Sequence, residues 1–336
     1  MDQQLFSVGQ PDVFRHLDGI TDTLLARRGI TRRDAATDLG AGAYFQRELE
    51  RIYPGVIRAK RESLNAYRLF FVDRSVPQGA ETFTHRLLEH VGEASVISNW
   101  ADDLPQVGIG RSEFTSKFKS IGDSFGYSEQ AIAAAAFAGM PLSTELPFAA
   151  RRAIDEKLNT IAWHGLPDHG IYGVLTFPYI PRYVTSAVIT AATDTAIENL
   201  HAAVARVLEN SSEVEKPNRL ILAPRSMRVL SRKLRTNTDS TALKIFLEND
   251  PYIKTIESAQ ELTGIGPNGE DGFIVDRTGQ GGQSEPLNGK IILSQAFTPL
   301  PVQRKGLMYN TDCLARTAGF DSAFPLSMLV GYWLAA

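Results

Sequence analysis

The sequence predicts an α+β protein, and three observations support this prediction. Residues 80–125 contain two β-prone runs separated by a turn-rich stretch, a pattern typical of a long hairpin. Residues 143–165 carry apolar side chains at the spacing of a long amphipathic helix. From about residue 184, short apolar strands alternate with helices, which indicates a compact α/β unit.

The bulk composition excludes several classes of protein. The chain has 336 residues, 43% of them hydrophobic, so it can bury a large core and is long enough for about two domains. Its formal net charge of −3 gives no overall attraction to nucleic acid or to an acidic membrane. Cys313 is the only cysteine, which excludes an intrachain disulfide and a cysteine-rich zinc site and favours a reducing compartment.

No targeting or membrane-spanning segment is predicted. The first residues, MDQQLFSVGQPD, lack the basic start and the apolar core of a signal peptide. No apolar run approaches the roughly 20 residues needed to cross a bilayer. We therefore expect a soluble protein without a membrane partner.

The N-terminal region up to about residue 75 is polar and interrupted by glycine and proline. Its stretch LDGITDTLLARRG has Leu17, Ile20 and Leu24 at roughly helical spacing and stops at Gly29. These apolar positions are too few for a core, so we predict an arm that lies on another surface.

The hairpin over residues 80–125 begins with TFTHRLLEHVGEASVISNW and returns as SEFTSKFKSIGDSFG. Both runs have too many polar residues to be buried. Since an isolated two-stranded hairpin is marginally stable in water, we expect contacts elsewhere to stabilise it.

Two helical patterns follow the hairpin. The alanine-rich SEQAIAAAAFAGM starts at Ser128, a plausible N-cap. Because proline inside a helix costs about 3 kcal/mol, we predict a break near Pro141. The second pattern has an apolar stripe consisting of Leu146, Ala150, Ile154, Leu158 and Ile161.

The α/β unit contains strands in NRLILAP, YIKTIES, GFIVD and KIILSQ and helices in TDTAIENLHAAVARVLENS, SMRVLSRKLR and TALKIFLEND. The tail after FTPLPVQ is again strand-like and rich in large apolar residues.

Two glycine-rich stretches resemble nucleotide-binding loops, but the residues around them favour turns. TGIGPNG has the glycine spacing of a dinucleotide loop at Gly264, Gly266 and Gly269, but a strand follows it where the cofactor site requires a helix. GQGGQSEPLNGK lacks the Ser or Thr that follows Gly-Lys in a phosphate loop. We predict a turn and a flexible loop.

The remaining single signals favour structural roles. The arginines of residues 27–33 and 225–235 form two basic clusters, which we interpret as solvated or subunit-facing surfaces because no aromatics are interleaved with them. His85, His90 and His201 are isolated histidines, and we interpret Cys313 as a buried structural thiol. No paired carboxylates or GxSxG or HExxH motifs stand out.

His164, Asp168 and His169 form the one cluster that could hold a metal or polarise a water. Adjacent Asp168 and His169 cannot easily point at one ion, and the intervening glycines and prolines are typical of a turn. We therefore predict a turn that ends the preceding helix, with a metal site as the minor alternative and no cofactor.

The order of these parts resembles that of tailed-bacteriophage major capsid proteins of the Hong Kong 97 (HK-97) type. GEASVISNWADDLPQVGIG (residues 92–110) resembles the extended hairpin loop of one such family. FGYSEQAIAAAAFAG (125–139) resembles the start of its spine helix, and AARRAIDEKLNTIAWHGLPDHGIYGVLTFPYIP (149–181) resembles the end of that helix and the segment after it.

The resemblance implies an HK-97-like fold in four parts. They are an N-terminal arm (1–79), an extended loop (80–125), a peripheral domain with the spine helix (126–182 and 300–336) and an axial domain (183–299). Assembly or hinge roles are expected for Trp100, Asp103, Pro105, Pro141, Trp163, Gly165, Gly170, Gly173 and Pro178.

The function implied is that of a non-enzymatic subunit that self-assembles, as pentamers and hexamers, into an icosahedral shell around phage double-stranded DNA. Assembly is expected in the host bacterial cytoplasm, with portal, scaffold or decoration proteins as possible partners and DNA held by non-specific proximity. Two alternatives stay open. One is an encapsulin-like nanocompartment shell, and the other is a soluble α/β metal-dependent hydrolase that uses His164, Asp168 and His169.

Overall fold

A computed structural model describes residues 61–96, 106–138, 145–277 and 288–335. The helices are α1 (Ala66–Leu69), α2 (Glu129–Ala138), α3 (Glu145–His164), α4 (Thr193–Asn210), α5 (Pro224–Arg232) and α6 (Ala242–Asn249). The strands are β1 (Phe71–Asp73), β2 (Thr82–Val91), β3 (Gly108–Lys117), β4 (Lys119–Ser128), β5 (Arg182–Val184), β6 (Arg219–Leu222), β7 (Thr255–Ser258), β8 (Gly272–Asp276), β9 (Lys290–Pro299), β10 (Gln303–Lys305), β11 (Met308–Asp321) and β12 (Leu329–Tyr332). None of the described helices is both long enough and apolar enough to span a membrane.

The first sheet is built around the long strand β11. This strand pairs antiparallel with β4, β9 and β10, and β1 adds to β9 in parallel. Helix α3 packs on this sheet through Ile154 and Leu158, which meet Leu293, Cys313 and Ala315 in one buried cluster. Four of the five residues of the predicted apolar stripe, Ala150, Ile154, Leu158 and Ile161, are thus buried, whereas Leu146 in the first turn is exposed. Cys313 is a buried free thiol, as predicted.

The second sheet has the order β5-β12-β8-β6-β7. Strands β6 and β8 are buried along their whole length, in line with the apolar runs at their centres, and the buried Arg219 and Asp276 at their ends form an ion pair. Helices α4, α5 and α6 cover one face of this sheet. The other face packs against the end of α3 and the segment after it, where Trp163, Val174 and Phe177 share a cluster with Ile221 and Ile274.

A buried polar network fixes the start of the described chain. The Glu261 carboxylate accepts hydrogen bonds from Asn65 Nδ2 at 2.9 Å and from Asn159 Nδ2 at 2.8 Å, and Asn159 Oδ1 accepts one from Ala66 N at 3.0 Å. Arg219 donates to the Asp276 carboxylate and to Leu69 O. These contacts attach α1 to both α3 and the second sheet.

Strands β2 and β3 form the predicted hairpin, paired over ten residues each from Thr82–Lys117 to Val91–Gly108. The predicted returning run is divided at Phe118. Its second half, β4, pairs with β11 instead of β2. The division follows from the burial of Phe118, which packs with Ile292 and Ala318 and whose backbone N–H is donated to Glu81 O.

The expected domain boundaries place β9 with the axial domain and β12 with the peripheral domain, but each strand pairs in the sheet of the other domain. β9 falls within residues 183–299, yet it pairs with β11 in the first sheet. β12 falls within residues 300–336, yet it pairs with β5 and β8 in the second. Both are short apolar runs, and an apolar run indicates burial without indicating which partner strand buries it.

Two predicted local features are present, and others lie outside the described residues. Ser128 Oγ accepts a hydrogen bond from Ala131 N at 3.1 Å and so caps α2. The TGIGPNG stretch is a turn that leads into β8, with positive φ at Gly264 and Gly269. Outside the described residues lie Pro141, most of the N-terminal arm including its basic cluster, and most of the loop GQGGQSEPLNGK.

Candidate assembly surfaces and the helix-end turn

The segment that follows α3, here called the helix-end turn (residues 165–178), has the backbone that its glycines predict. Helix α3 ends at His164, and Gly165 has φ of 71°. A short 3-10 turn leads to Gly170, with φ of 68°. Leu166 and Ile171 exchange backbone hydrogen bonds of 2.8 and 3.1 Å across this loop. The left-handed conformations explain why glycine occupies both positions.

The backbone is crowded on the inner side of the helix-end turn. A Cβ on Gly173 would lie 2.4 Å from Gly165 N, and a Cβ on Gly165 would lie 2.4 Å from Ile171 O. A third glycine, Gly319 of β11, has φ of 82°, and its Cβ would lie 2.5 Å from Tyr172 O. Because these three residues are glycines, the backbone of the returning chain can lie in direct contact with the backbones of the end of α3 and of β11.

The sequence analysis did not identify Gly319 as a structurally required glycine, although its position within a strand pattern indicates one. A glycine inside a strand pattern, here ARTAGFD, marks a bulge or a close backbone approach. Here Gly319 falls among register shifts in the pairing of β11 with β9, and Phe320 N donates to Tyr172 O at 2.9 Å.

Aromatic packing surrounds this crossing of chain segments. Trp163 is fully buried and meets Phe70 edge-on at 5.6 Å, and Phe70 in turn meets Phe320 at 5.4 Å. Pro178 is exposed, directly after the buried Phe177. Trp163 thus contributes to the core, whereas Pro178 lies at the surface where the chain leaves toward β5.

The candidate metal ligands are not brought together. The side chains of His164, at the end of α3, and of Asp168 and His169, in the helix-end turn, are exposed. Among the residues that the structure describes, no three or more His, Cys, Asp or Glu side chains are arranged to hold a metal ion. These three residues therefore lie at a solvent-exposed turn and are not arranged as a metal site.

The hairpin has two faces of different chemistry. The outer face is polar near the base, where the Thr84 and Thr115 hydroxyls are 2.9 Å apart and Arg86 Nε is 2.8 Å from Glu113 Oε1, and it carries the exposed Leu88 and Ile109 farther along. The inner face carries Phe83, His85, Leu87 and Val91 on β2, opposite Ser116, Phe114, Ser112 and Gly108 on β3. The predicted hairpin residues Trp100, Asp103 and Pro105 lie outside the described residues.

The base of the hairpin is fixed to the rest of the chain. Arg316 donates to Gln78 O at 2.8 Å and to Ala80 O at 2.7 Å. Phe114 packs against Phe177 at 5.1 Å between ring centroids. His85 Nδ1 lies 3.1 Å from Asp321 Oδ1, so a histidine that looked isolated in the sequence contacts a buried carboxylate.

The carboxyl group of Asp321 has an altered proton affinity. Burial raises its pKa, since the charged form loses its hydration, and the neighbouring His85 and Lys290 oppose that shift. Lys290 itself lies 2.9 Å from the carboxylate of Asp73. This cluster connects the hairpin, β1, β9 and the end of β11.

A groove of about 710 Å³ lies beneath the inner face of the hairpin. Its roof includes Leu87 and Phe114, and its floor is formed by the segments around Phe177, Val214 and Phe324. Four large apolar residues on its lining are exposed, namely Leu87, Tyr179, Val214 and Leu326. Contiguous exposed apolar surface of this kind marks an interaction site.

Helix α2 presents a second exposed apolar surface. From Ala131 to Ala138 it carries only alanine, isoleucine and phenylalanine, and none of its residues is buried. Phe137 is 96% exposed. A third surface, on α5, is basic, with Arg225, Arg228 and Arg232 exposed at helical spacing on one face.

The sequence and the fold of this chain are similar to those of known proteins. The model of the family described as major capsid protein matches residues 92–330. The capsid of Myoviridae phage XM1 is structurally similar, with a TM-score of 0.75 and 13% identity over 88% of this chain and 100% of that chain. A structure from Mycobacterium phage Ogopogo has a TM-score of 0.56 and 15% identity over 85% and 96% of the two chains.

A third similar structure is the capsid of an empty GTA particle, with a TM-score of 0.61 and 12% identity over 87% of this chain and 98% of that one. No significant match was found among curated proteins. The family match covers well over half of the chain, and the structural matches confirm the predicted α+β fold of HK-97-type phage capsid proteins. The chain therefore belongs to the major capsid protein family, and it is a structural subunit of a virion capsid, which self-assembles in many copies, and not an enzyme.

Proposed function

We propose that this subunit forms an icosahedral shell of pentamers and hexamers around a phage double-stranded DNA genome, assembled in the cytoplasm of the host bacterium. Portal, scaffold or decoration proteins are the additional partners proposed, and the DNA is held by proximity and not by a sequence-reading site. The near-neutral net charge of −3 supports this, because a strongly basic subunit would bind nucleic acid indiscriminately. The family match does not favour the encapsulin-like alternative.

We assign the parts of the subunit on the same basis. Residues 1–79 are the proposed arm, and the hairpin of β2 and β3 is the proposed extended loop, within the expected range 80–125. The proposed peripheral domain contains α2, α3 and the first sheet, and the proposed axial domain contains the second sheet with α4, α5 and α6. This assignment differs from the expected ranges, because it places β4 and β9 in the peripheral domain and β12 in the axial domain.

The observation that carries the proposal is the hairpin. Its base packs on the rest of the chain, but beyond His85 its strands are exposed on both faces. The exposed side chains include Leu87, Leu88, Val91 and Ile109. A two-stranded ribbon with such side chains is marginally stable alone, and a neighbouring subunit would supply the missing contacts.

The test is assembly of the full chain with a matched pair of hairpin variants. Val91→Asp places a charge on a side chain that is 57% exposed and contacts little within the chain, so the fold of the single subunit should be unchanged. Glu89→Gln, two residues earlier on the same face, is the control. We expect wild-type and Glu89→Gln chains to form hollow shells or five- and six-membered rings in negative-stain micrographs, and Val91→Asp to remain as subunits.

Sedimentation velocity and circular dichroism separate an assembly defect from unfolding. Particles isolated from the virus should contain nuclease-protected double-stranded DNA. Particles from the virus that hold a cargo protein and no DNA, or Val91→Asp chains that assemble as the wild-type chain does, would contradict the proposal.

A further inference from the structure

Helix α5 presents three arginines in one row on its solvent-exposed face. Ser226 and Leu230 on the other side of the helix are buried, which directs Arg225, Arg228 and Arg232 away from the core. Since these positions are three and four residues apart, they extend over about 10 Å at the rise of a helix. These three residues are called the arginine row below.

The arginine row has no carboxylate partner among the residues that the structure describes. Exposed arginines on other elements lie beside a carboxylate, in the pairs Arg86–Glu113, Arg151–Asp155, Arg206–Glu209 and Arg304–Glu129. The acidic residues around α5 have other partners. Asp194 pairs with Arg235 at 2.7 Å, Asp271 accepts a hydrogen bond from Ser226 Oγ at 3.3 Å, and Glu270 accepts one from Asn268 at 2.8 Å. The row therefore carries three uncompensated positive charges.

A second copy of this chain offers no matching acidic surface within its described part. No described helix or strand carries three exposed carboxylates on one face without a cation beside them. On α4, for example, Glu198 is single, because Asp194 and Glu209 already pair with arginines. A contact of the row with such a surface would bury positive charge without enough negative charge, which is costly.

Double-stranded DNA has the charge density that the arginine row lacks. A duplex carries one negative charge per roughly 1.7 Å of its axis, so several phosphates lie within reach of the row whatever the base sequence. Guanidinium groups stay charged and bind phosphate oxygens through two N–H donors at once. The lack of aromatic side chains on α5 argues against stacking on single-stranded bases, but it does not oppose contact with a duplex backbone.

We propose that the arginine row of α5 contacts phosphates of the packaged double-stranded DNA, so that this face of the axial domain belongs to the inner surface of the shell. This inference rests on the proposed function as a subunit that encloses a DNA genome. The contact reads no base sequence, because phosphates carry no sequence information directly. One subunit binds weakly, and repetition over many copies makes the total contact strong. Since the whole chain has a net charge of −3, the remaining residues repel DNA and the row determines where the duplex approaches.

Modification of arginines by phenylglyoxal tests the contact in the wild-type chain. Unassembled subunits, empty shells and DNA-filled particles are treated alike, and the modified sites are located by mass spectrometry of peptides. We expect the arginine row to react readily in free subunits and in empty shells and to be protected in DNA-filled particles. Arg304 is the internal control, because its side chain is 57% exposed and paired with Glu129, and its reactivity should be the same in empty and filled particles.

A matched pair of variants measures how many phosphates the row contacts. The first variant combines Arg225→Gln, Arg228→Gln and Arg232→Gln, and the second combines the three corresponding changes to lysine, which keep the charge. Binding of unassembled subunits to a short DNA duplex is measured as a function of salt. For three phosphate contacts, the loss of affinity between 50 and 200 mM salt should be about 40-fold larger for the wild-type chain than for the glutamine variant. The lysine variant should keep the salt dependence of the wild-type chain.

Three results would overturn the contact. Equal reactivity of the row in empty and DNA-filled particles would show that it faces solvent. Protection in both kinds of particle, with reactivity in free subunits, would assign the row to a contact with a neighbouring copy. The third result is an equal salt dependence of the wild-type chain and the glutamine variant. In all three cases the particles still hold DNA and the proposed function stands, whereas virus particles without DNA would overturn the proposed function and this contact together.

Discussion

Replacing Gly173 with alanine tests the close backbone approach at the helix-end turn. The new Cβ would lie 2.4 Å from Gly165 N and 2.5 Å from the carbonyl carbon and oxygen of Trp163. Ordinary contacts of a Cβ begin at 3.4 Å, so the segments would have to separate by about 1 Å. The atoms concerned are backbone, held in place where Val174 N donates to Ala162 O and Leu175 N to Trp163 O.

This rigidity sets the magnitude of the effect. Overpacking in a core costs about 1–3 kcal/mol when side chains can adjust, and here none can. We therefore expect Gly173→Ala to lower the free energy of unfolding by about 3 kcal/mol or more. For a domain of this size that corresponds to a decrease of roughly 6–12 °C in the melting temperature.

Two other glycines serve as controls. At Gly170 a Cβ meets nothing within 4 Å, but φ is 68°. The left-handed conformation costs about 1–2 kcal/mol, partly offset by the lower entropy of the unfolded chain. At Gly79 neither the space nor the backbone opposes alanine. The expected order of destabilisation is therefore Gly173→Ala, then Gly170→Ala, then Gly79→Ala.

The assay is guanidinium unfolding of unassembled subunits, followed by tryptophan fluorescence because Trp163 is buried beside the substitution. Subunits must be unassembled, since assembly adds stability by mass action. A Gly173→Ala variant within about 0.5 kcal/mol of Gly79→Ala would refute the argument that this turn is a backbone-to-backbone contact.

Two further predictions use the same assay. Asp276→Asn should cost about 3 kcal/mol, the lower end of the range for a broken buried pair, because the buried guanidinium of Arg219 keeps only its longer ion pair with Glu257 at 3.8 Å. Glu113→Gln, which breaks an exposed pair, should cost less than about 1 kcal/mol, and equal losses would contradict this. Burial opposes ionisation of Asp73, but hydrogen bonds from Ser75 and the nearby Lys290 outweigh it and hold the pKa of Asp73 below 3.8. Its contribution to stability is therefore present above about pH 4 and is lost as the pH falls through the lower folded-state pKa. Asp73→Asn should flatten that part of the stability profile, and an unchanged acid limb would exclude this role.

The elements that could be predicted from the sequence are those with a strong local pattern. The apolar runs Leu220–Leu222 of β6 and Phe273–Val275 of β8 are buried, and Ile154 and Leu158 of α3 face the first sheet. The helix end at His164 followed from Gly165 and Gly170, whose positive φ is a local requirement. In each case neighbouring residues suffice to determine the conformation.

The features that could not be predicted depend on partners far along the chain. β4 has a mixed polar pattern that suits pairing with either β2 or β11, and only the burial of Phe118 decides between them. Gly319 is required by Tyr172, about 150 residues earlier. The contact between His85 and Asp321 likewise joins a hairpin to the end of a distant strand. Local periodicity carries no information about such pairs.

The assembly surfaces depend both on local sequence patterns and on contacts between residues far apart in the chain. The register of the hairpin shows this dependence. The sequence indicates a polar hairpin without indicating which side chains share a face with the groove. Phe83 and His85 are held toward the core and toward Asp321, and this contact fixes the parity of every later residue in β2. Because successive side chains of a strand alternate, a shift of one residue would turn Leu87 outward and place Leu88 over the groove. The side of the hairpin that faces the groove therefore depends on the contacts of Phe83 and His85 at its base. Packing within the single chain thus determines which surface is available to a neighbouring subunit.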